Sequence, residues 1–242
     1  MFIANWKMNG SLSMLSGWLE GIGKTLNKSL QKQCLFCPPV CFLSEASRLI
    51  SNSNLSISLG AQNIDPNTIS SLTGGISGAM LKSVGSEFVI IGHSERREVF
   101  KERDSLLLEK LRSASENGLK VIFCIGESLT DKEQNRTSKV LKQQLEIIKK
   151  VELNEFMIAY EPVWAIGSGT TANIDYIDKI HSEIIDEVSS YRKEGFLGVS
   201  YGGSIDSSSS KDILSIRGVE GLLIGGASLQ YQEFCKIVLS NN

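Results

Sequence analysis

The segment Phe88-Val89-Ile90-Ile91-Gly92-His93-Ser94-Glu95-Arg96-Arg97 joins a short apolar run to a run of polar and charged residues. Residues 88–91 are apolar and rich in β-branched side chains, a composition typical of a strand. The polar residues that follow are typical of the first turns of a helix. The segment therefore predicts a strand that leads directly into a helix, with His93 at the junction.

Seven further apolar runs recur along the 242 residues, and successive runs begin roughly 22 to 40 residues apart. Each interval is long enough for a crossover helix between two parallel strands. The eight predicted strands are Phe2–Ala4, Cys34–Cys37, Ser56–Ala61, Phe88–Ile91, Lys120–Ile125, Met157–Tyr160, Leu197–Tyr201 and Leu222–Ile224.

The segments between these runs have the periodicity of amphipathic helices. Ile177, Ile180, Ile184 and Val188 fall on one face at helical spacing, and Asn173 is placed to cap the N-terminus. Two other segments repeat the pattern, one with Leu107, Leu111 and Ala114 and one with Leu141, Leu145 and Ile148. Strands that alternate with such helices predict a mainly parallel sheet that is buried on both faces.

The chain shows no linker and no change of composition that would divide it. We therefore predict a single domain over residues 1–242, and eight strand–helix units favour a closed (β/α)8 barrel. A doubly wound open sheet is the alternative architecture that the same pattern permits. In a closed barrel of this kind, functional residues gather at the C-terminal ends of the strands.

The composition argues against several classes of partner. Lys and Arg number 25 and Asp and Glu number 27, so the net charge is −2 and no long-range positive field would attract nucleic acid or an anionic membrane. The 5 cysteines cannot all pair, which favours a reducing, cytoplasmic setting. No apolar run approaches the roughly 18 residues of a membrane-spanning helix, and the apolar start breaks too early for a signal peptide.

Three ionisable residues follow predicted strands within a few positions. Lys7 follows the first strand, and its ammonium group near a barrel interior is costly unless it meets an anion. At the start of a helix His93 is expected to be neutral, and a neutral imidazole can donate a hydrogen bond to a carbonyl. Glu161 stands near Trp164 and Ile166, and partly apolar surroundings raise the proton affinity of a carboxylate that acts as a base.

Glycine-rich loops follow the last three predicted strands. Residues 162–172 are predicted to form a mobile lid, because Pro162 stiffens one end while Gly167 and Gly169 free the tip. The segments Tyr201-Gly202-Gly203-Ser204 and Ile224-Gly225-Gly226-Ala227-Ser228 let backbone N–H groups approach an anion. Loops after the last two strands of such barrels frequently bind phosphate.

Other residues of chemical interest have simpler structural interpretations. The spacing Cys34-x-x-Cys37, with Cys41 nearby, suggests a metal site, but there is no second Cys/His pair at ligand spacing. We therefore predict no metal and interpret Cys34, Cys37 and Cys124 as buried strand cysteines. His181 lies in the middle of a predicted helix, and we expect it at the surface.

Six segments together resemble the triosephosphate isomerase family in order and spacing: NWKMNG (5–10), GHSERR (92–97), CIGE (124–127), AYEPVWAIGSG (159–169), YGGS (201–204) and IGGASL (224–229). The resemblance covers essentially the whole chain and implies a (β/α)8 barrel. It also implies the interconversion of dihydroxyacetone phosphate and D-glyceraldehyde 3-phosphate in glycolysis and gluconeogenesis, without a cofactor or metal.

The resemblance further implies a role for individual residues. Glu161 is the base that takes the carbon-bound proton, His93 is the neutral electrophile, and Lys7 is the cation that faces the substrate. Asn5 orients the substrate, and Glu95 and Cys124 support these groups from behind. The residues that hold phosphate are Gly167, Ser204, Gly225 and Gly226.

Members of this family are normally dimers, so the resemblance implies a second copy of the chain as partner, through the loop around Thr73. The chain departs from the family pattern at three positions. Gly75 replaces a usual Glu in that loop, Thr170 replaces a basic residue near the end of the lid, and Lys101 replaces a usual Gly. The alternative function is a phosphate-ester-binding barrel of another reaction class, such as an aldolase or a biosynthetic sugar-phosphate isomerase.

Overall fold

Eight parallel strands pair in chain order, and the first strand closes the sheet by pairing with the last. In the computed structural model, which describes residues 1–67, 71–165 and 172–240, the strands are β1 Phe2–Asn5, β2 Cys34–Cys37, β3 Ser58–Ala61, β4 Phe88–Ile91, β5 Lys120–Ile125, β6 Phe156–Tyr160, β7 Phe196–Tyr201 and β8 Val219–Ile224. The predicted closed (β/α)8 barrel is thereby confirmed. The open-sheet alternative is excluded because β1 and β8 are hydrogen-bonded neighbours.

Helices surround this barrel. In the described ranges they are α1 Leu12–Thr25, α2 Lys28–Gln31, α3 Leu43–Asn52, α4 Gly78–Ser83, α5 Ser94–Val99, α6 Asp104–Glu116, α7 Leu129–Glu133, α8 Thr137–Leu145, α9 Ile174–Tyr191, α10 Ser210–Leu214 and α11 Tyr231–Leu239. Short 3-10 turns occur at Val40–Phe42, Ile148–Lys150, Val163–Ala165 and Gly226–Leu229.

The ends of some elements differ from the sequence prediction. β8 begins three residues earlier than predicted, at Val219, because Glu220 and Gly221 interrupt the apolar run that marks the strand. β3 is shorter than predicted and begins at Ser58. α8 ends at Leu145, so that Ile148 belongs to a separate 3-10 turn rather than to the predicted helix.

Side chains of the strands alternate between two apolar clusters, as strand geometry requires. In β5, Ile122 and Cys124 belong to the cluster inside the barrel, whereas Val121, Phe123 and Ile125 belong to the cluster beneath the helices. This packing fixes which residue of each strand points inward. It also leaves the polar residues that follow the strands at one rim of the barrel.

The long helix α9 buries the four apolar residues that the periodicity predicted. Asn173 caps it as predicted, and its side chain accepts a hydrogen bond from the Asp175 backbone at 2.8 Å. The prediction that His181 lies at the surface is wrong, since the residue is fully buried. Position 181 is about one helical turn from Ile177, which brings its side chain onto the buried face.

The predicted strand cysteines Cys34, Cys37 and Cys124 are buried, whereas Cys41 is exposed. Within the described ranges, no group of three or more His, Cys, Asp or Glu side chains is arranged to hold a metal ion. Within the same ranges, no helix combines the length and the apolar character needed to cross a membrane.

Lys101 adopts a φ of 56°, in the left-handed region that favours glycine. This conformation costs an L-residue about 1–2 kcal/mol, while glycine costs about 0.5–1 kcal/mol in conformational entropy on folding. We therefore expect Lys101→Gly to raise the free energy of unfolding by roughly 0.5–1 kcal/mol. Urea denaturation at a fixed protein concentration measures the change.

Asn54→Gly provides the matched control, because Asn54 has a φ of 49° and asparagine tolerates this region better than lysine. The gain in stability from the control substitution should be smaller. A Lys101→Gly variant no more stable than the starting protein would contradict the strain argument.

Candidate active site

A cavity of about 340 Å³ opens at the C-terminal rim of the barrel. Its walls contain seven residues that the sequence analysis singled out, namely Asn5, Lys7, His93, Glu161, Ser204, Gly225 and Gly226. They come from the ends of β1, β4, β6, β7 and β8. The closure of the barrel therefore collects residues that are far apart along the chain.

Glu161 and His93 form a close pair in this cavity. Glu161 Oε1 lies 3.0 Å from His93 Nε2, and the backbone N–H of Ser94 donates to Glu161 Oε2 at 3.1 Å. Both side chains are almost completely buried. Burial raises the pKa of Glu161, but His93, Ser94 and Lys7 lower it more strongly, so that this pKa lies below its ordinary value.

Burial raises the proton affinity of Glu161, as expected, but the net shift of its pKa is downward because His93, Ser94 and Lys7 together outweigh burial. Of the two apolar neighbours expected from the sequence, Trp164 directs its indole N–H to Glu127 at 2.8 Å. Ile166 lies outside the described residues.

Opposing influences act on the protonation of His93. Burial lowers its pKa, whereas the carboxylates of Glu161 and Glu95 raise it. The carboxylates have the larger combined effect, so that the pKa of His93 lies above its ordinary value. The backbone N–H of Glu95 donates to Nδ1 at 3.3 Å. Because an acceptor nitrogen carries no proton, this contact selects the neutral tautomer that bears its proton on Nε2, the atom that faces Glu161.

The position of Lys7 depends on a strained turn after β1. Lys7 has a φ of 53°, and such non-glycine residues cluster at functional sites. Its backbone N–H donates to Asn5 Oδ1 at 3.1 Å, and its carbonyl accepts from Gln62 Nε2 at 3.0 Å. These contacts hold the turn, and Gln62 is a supporting residue that the sequence analysis missed.

Glu95 and Cys124 each contact one of the predicted reactive groups: Glu95 contacts Lys7, and Cys124 contacts Glu161. Glu95 Oε1 lies 2.7 Å from Lys7 Nζ, so the two side chains form an ion pair. Cys124 is fully buried against Glu161. Burial, and to a smaller extent the charge of Glu161, raises the pKa of the Cys124 thiol well above the usual range. The thiol is therefore neutral and acts only through packing and hydrogen bonding.

Glycines let the chain pass close to Glu161. A Cβ atom at Gly202 would lie 2.9 Å from Glu161 Cγ, and one at Gly126 would overlap the Glu161 carbonyl oxygen. Larger residues at either position would displace the carboxylate. Beside them, the Ser204 hydroxyl donates to the carbonyl of Ala165 at 2.7 Å, which joins the loop after β7 to the loop after β6.

Glu127 organises a polar cluster that the sequence analysis did not assign. This fully buried carboxylate accepts hydrogen bonds from Tyr160 at 3.1 Å, from Trp164 at 2.8 Å and from Tyr176 at 2.8 Å. The segment CIGE contains Glu127, but its three donors lie 33 to 49 positions away. No local pattern in the sequence indicates such a cluster.

The structure covers both ends of the predicted lid but not its middle. Residues 162–165 include a 3-10 turn, and the backbone N–H of Ala172 donates to the Tyr201 hydroxyl at 3.3 Å. Gly167, predicted to hold phosphate, and Thr170 lie outside the described residues.

The comparison with protein families agrees with this geometry. Residues 1–241 match the family model described as Triosephosphate isomerase. The chain belongs to the triosephosphate isomerase family. Three similar proteins, each named triosephosphate isomerase, come from Nitrosococcus oceani (37% identity, covering 98% of this chain and 96% of that protein), Bartonella tribocorum (42%, 96% and 93%) and Aquifex aeolicus (36%, 99% and 98%).

Membership of the triosephosphate isomerase family makes the chain an isomerase. The closed barrel that the motifs implied is the architecture observed. The residues whose roles the resemblance implied are also neighbours here, since Lys7, His93 and Glu161 line one cavity.

Removing the charge of Glu161 should lower the pKa of His93. In Glu161→Gln the main influence that raises this pKa is lost, while burial and Lys7 continue to lower it. NMR titration of the imidazole measures the change. The chain has only 2 histidines, and the pKa of buried His181 is about 4, so that the two signals are distinguishable. Glu95→Gln should give a smaller decrease, and an unchanged pKa in Glu161→Gln would contradict the pairing.

The same pair sets a pH window for stability. The pKa of Glu161 is lowered, so its contribution is lost as the pH falls through that pKa; the pKa of His93 is raised, so its contribution is lost as the pH rises through it. The stabilisation from this pair is therefore greatest between the two values.

Proposed function

We propose that this chain interconverts dihydroxyacetone phosphate and D-glyceraldehyde 3-phosphate, and so serves glycolysis and gluconeogenesis. The observation that carries the proposal is the meeting of a carboxylate, an imidazole and an ammonium group in one cavity, on Glu161, His93 and Lys7. These are the groups that a proton transfer beside a carbonyl requires: a base, a hydrogen-bond donor to oxygen and a cation.

Glu161 takes a proton from the carbon next to the substrate carbonyl. The electrons of that C–H bond move to the carbonyl oxygen and give an enediolate, which His93 stabilises by donating from Nε2. Glu161 then returns the proton to the neighbouring carbon, and the protons on the two oxygens are redistributed. Atoms and electrons balance within the substrate, so the proposed reaction consumes no oxidant or second reactant.

The protonation state of His93 suits this role once substrate is bound. In the structure, the Glu161 carboxylate contacts Nε2 and raises the pKa of His93. A substrate carbonyl at Nε2 would separate the two side chains and remove that influence. The backbone N–H of Glu95 at Nδ1 then favours a neutral imidazole that donates from Nε2.

The phosphate group is proposed to bind at the other side of the cavity, at Ser204, Gly225, Gly226 and Gly167. The chain as a whole has a net charge of −2, so the attraction must be local. Lys7 supplies positive charge, and a Cβ atom at Gly225 would lie 3.2 Å from Lys7 Cε, which indicates how closely the phosphate loop approaches the ammonium stem. Asn5 lines the same wall and is proposed to orient the substrate.

We propose that residues 1–242 act as one domain in which residues 162–172, hereafter the lid segment, close over bound substrate. A closed lid would exclude water and keep the enediolate from losing its phosphate. Support comes from both ends of the segment, where Trp164 is bonded to Glu127 and Ala172 to Tyr201. Glu127 follows β5 and Tyr201 is the last residue of β7, so Trp164 and Ala172 are each hydrogen-bonded at the rim of the barrel.

A second copy of the chain is the proposed protein partner. Next to the active site lies a cavity of about 410 Å³, whose lining combines apolar residues with polar and charged ones such as Lys7, Glu95 and Arg96. Met8, Val40 and Phe100 expose 96%, 51% and 65% of their surface at its edge. Large exposed apolar side chains grouped at one edge favour a protein contact. The loop around Thr73 of the other copy is the proposed occupant.

The dimer is testable through Gly75, which replaces an expected carboxylate. We expect the chain to sediment as a dimer at micromolar concentration, and we expect Gly75→Glu to lower its dissociation constant, since it restores that carboxylate. Analytical ultracentrifugation over a dilution series measures both. A monomer at every concentration would overturn the proposed dimer.

The five thiols, all free in the structure, suit a reducing compartment, and we propose the cytoplasm.

The decisive test of the function is a coupled assay with D-glyceraldehyde 3-phosphate. We expect turnover in both directions and incorporation of solvent deuterium at the substrate carbon. The aldolase alternative requires a Schiff-base lysine or a metal, and borohydride with substrate would trap a Schiff base. The Lys7 ammonium forms an ion pair with Glu95 at 2.7 Å. This pairing favours a role for Lys7 in stabilising negative charge over a role as a nucleophile. Covalent trapping without isomerisation would refute the proposed function.

A further inference from the structure

Three aromatic rings lie together beneath α9, on the side of the barrel wall away from its interior. The His181 ring lies 5.9 Å from the Tyr160 ring at 83°, and 6.4 Å from the Tyr201 ring at 39°. The two tyrosine rings are 6.5 Å apart. All three side chains are fully buried, and the spacings are those of interacting aromatic pairs.

The hydroxyl of each tyrosine takes part in the hydrogen bonds at a different end of the lid segment. The Tyr160 hydroxyl donates to Glu127, which in turn accepts from the indole of Trp164 at the N-terminal end. The Tyr201 hydroxyl accepts from the backbone N–H of Ala172 at the C-terminal end. His181 is therefore in ring contact with both supports, although it touches neither end itself.

The His181 ring is held in one orientation. Nδ1 lies 3.2 Å from the carbonyl of Gly218, which can only accept, so Nδ1 donates and Nε2 carries no proton. Nε2 is buried and has no hydrogen-bond partner among the described residues. Burial lowers the pKa of His181 to about 4, against smaller contributions from Gly218 and Asp178, so the ring is uncharged near neutral pH.

These contacts point to a function for a residue that the proposed reaction does not use. We propose that His181 is a positioning residue for Trp164 and Ala172: its ring, hydrogen-bonded to Gly218, holds Tyr160 and Tyr201 where their hydroxyls support these two residues. Its consequence for catalysis rests on the proposed function, whereas the contacts themselves join His181, Tyr160 and Tyr201 to Trp164 and Ala172. The structural basis of the proposal is that the His181 ring packs against both Tyr160 and Tyr201. Loss of this ring should therefore loosen Trp164 and Ala172 together.

Amide and indole hydrogen exchange tests this directly in the full chain. In His181→Asn, a side-chain amide can still donate to Gly218, but the ring contacts are lost. We expect exchange of the Trp164 indole and the Ala172 amide to become about three- to tenfold faster, the change expected from losing an aromatic contact. Trp6 and Trp18 serve as internal controls, because their indoles donate to the Ser228 carbonyl, away from the lid segment.

Two further variants separate positioning from general stability. His181→Phe keeps a ring but loses the hydrogen bond to Gly218, so exchange at Trp164 and Ala172 should be faster than in wild type and slower than in His181→Asn. Ile184→Ala removes a buried side chain from the same helix and should affect all probes in proportion to the stability lost. Equal acceleration at Trp6, Trp18, Trp164 and Ala172 in His181→Asn would overturn the proposal.

A catalytic readout follows if the chain isomerises triose phosphates. A loosened lid should raise the amount of inorganic phosphate released per turnover in His181→Asn but not in Ile184→Ala, because an open site lets the enediolate expel phosphate. An unchanged ratio would count against positioning of the lid. The exchange experiment needs no substrate, so failure of the proposed reaction and failure of this inference are distinguishable.

Discussion

Replacing Glu161 by Gln should lower kcat by on the order of 10³-fold, while the fold remains intact. The amide has the shape of the carboxylate but cannot accept a proton from carbon. His93 Nε2, now 3.0 Å from the carboxylate, can still donate to the amide oxygen, so the cavity should keep its packing. The coupled assay measures kcat, and circular dichroism verifies the fold.

Glu161→Asp is the matched control for this experiment. It keeps the carboxylate but withdraws it by one methylene group, and a displacement of about 1 Å in a catalytic group can cost roughly 10²-fold. We therefore expect Asp to be slower than Glu and faster than Gln. Solvent deuterium incorporation should decrease in parallel with kcat. Turnover close to wild type in the Gln variant would remove Glu161 from the role of base.

Replacing Lys7 by Met should lower kcat/KM by roughly 10²- to 10³-fold, the usual effect of losing one oriented electrostatic group. Methionine is similar to lysine in length and lacks the charge. It also carries the same Cβ, so the backbone strain at a φ of 53° is unchanged. Inorganic phosphate should bind more weakly to the variant, and the difference between the two proteins should shrink at high salt.

Glu95 complicates the Lys7 experiment and also supplies its control. Its carboxylate is paired with Lys7 at 2.7 Å and would be unpaired in Lys7→Met, where it would repel phosphate. The double variant Lys7→Met with Glu95→Gln removes that repulsion. Activity that remains low in the double variant assigns the loss to the missing cation. Recovery to near wild type would show that Lys7 merely neutralises Glu95.

The strands were predictable because each is a local apolar run, and all eight predicted runs overlap observed strands. The ends were less predictable. β8 begins at Val219 because pairing with its neighbours extends it through Glu220 and Gly221, and the apolar pattern does not register this. Strand length depends on the partner strand as well as on composition.

The site was predictable as a set of residues but not as a set of interactions. Polar residues after strands, together with the motifs, pointed to Lys7, His93 and Glu161. The net direction of the pKa shift of Glu161 was not predictable, since it depends on an imidazole 3.0 Å away as well as on burial. The cluster around Glu127 was missed for the same reason.

The alternation of strand and amphipathic helix can be derived from the sequence, because hydrophobic periodicity acts over a few neighbouring residues. Which polar groups meet depends on how the strands pair and how the helices pack. Ser94 and Glu161, 67 positions apart, share a hydrogen bond because β4 and β6 lie in one closed sheet. His181 is buried against two tyrosines for the same reason. Contacts of this kind form only when the strands pair into the barrel. Their electrostatic effects depend on interatomic distances that no local sequence pattern encodes.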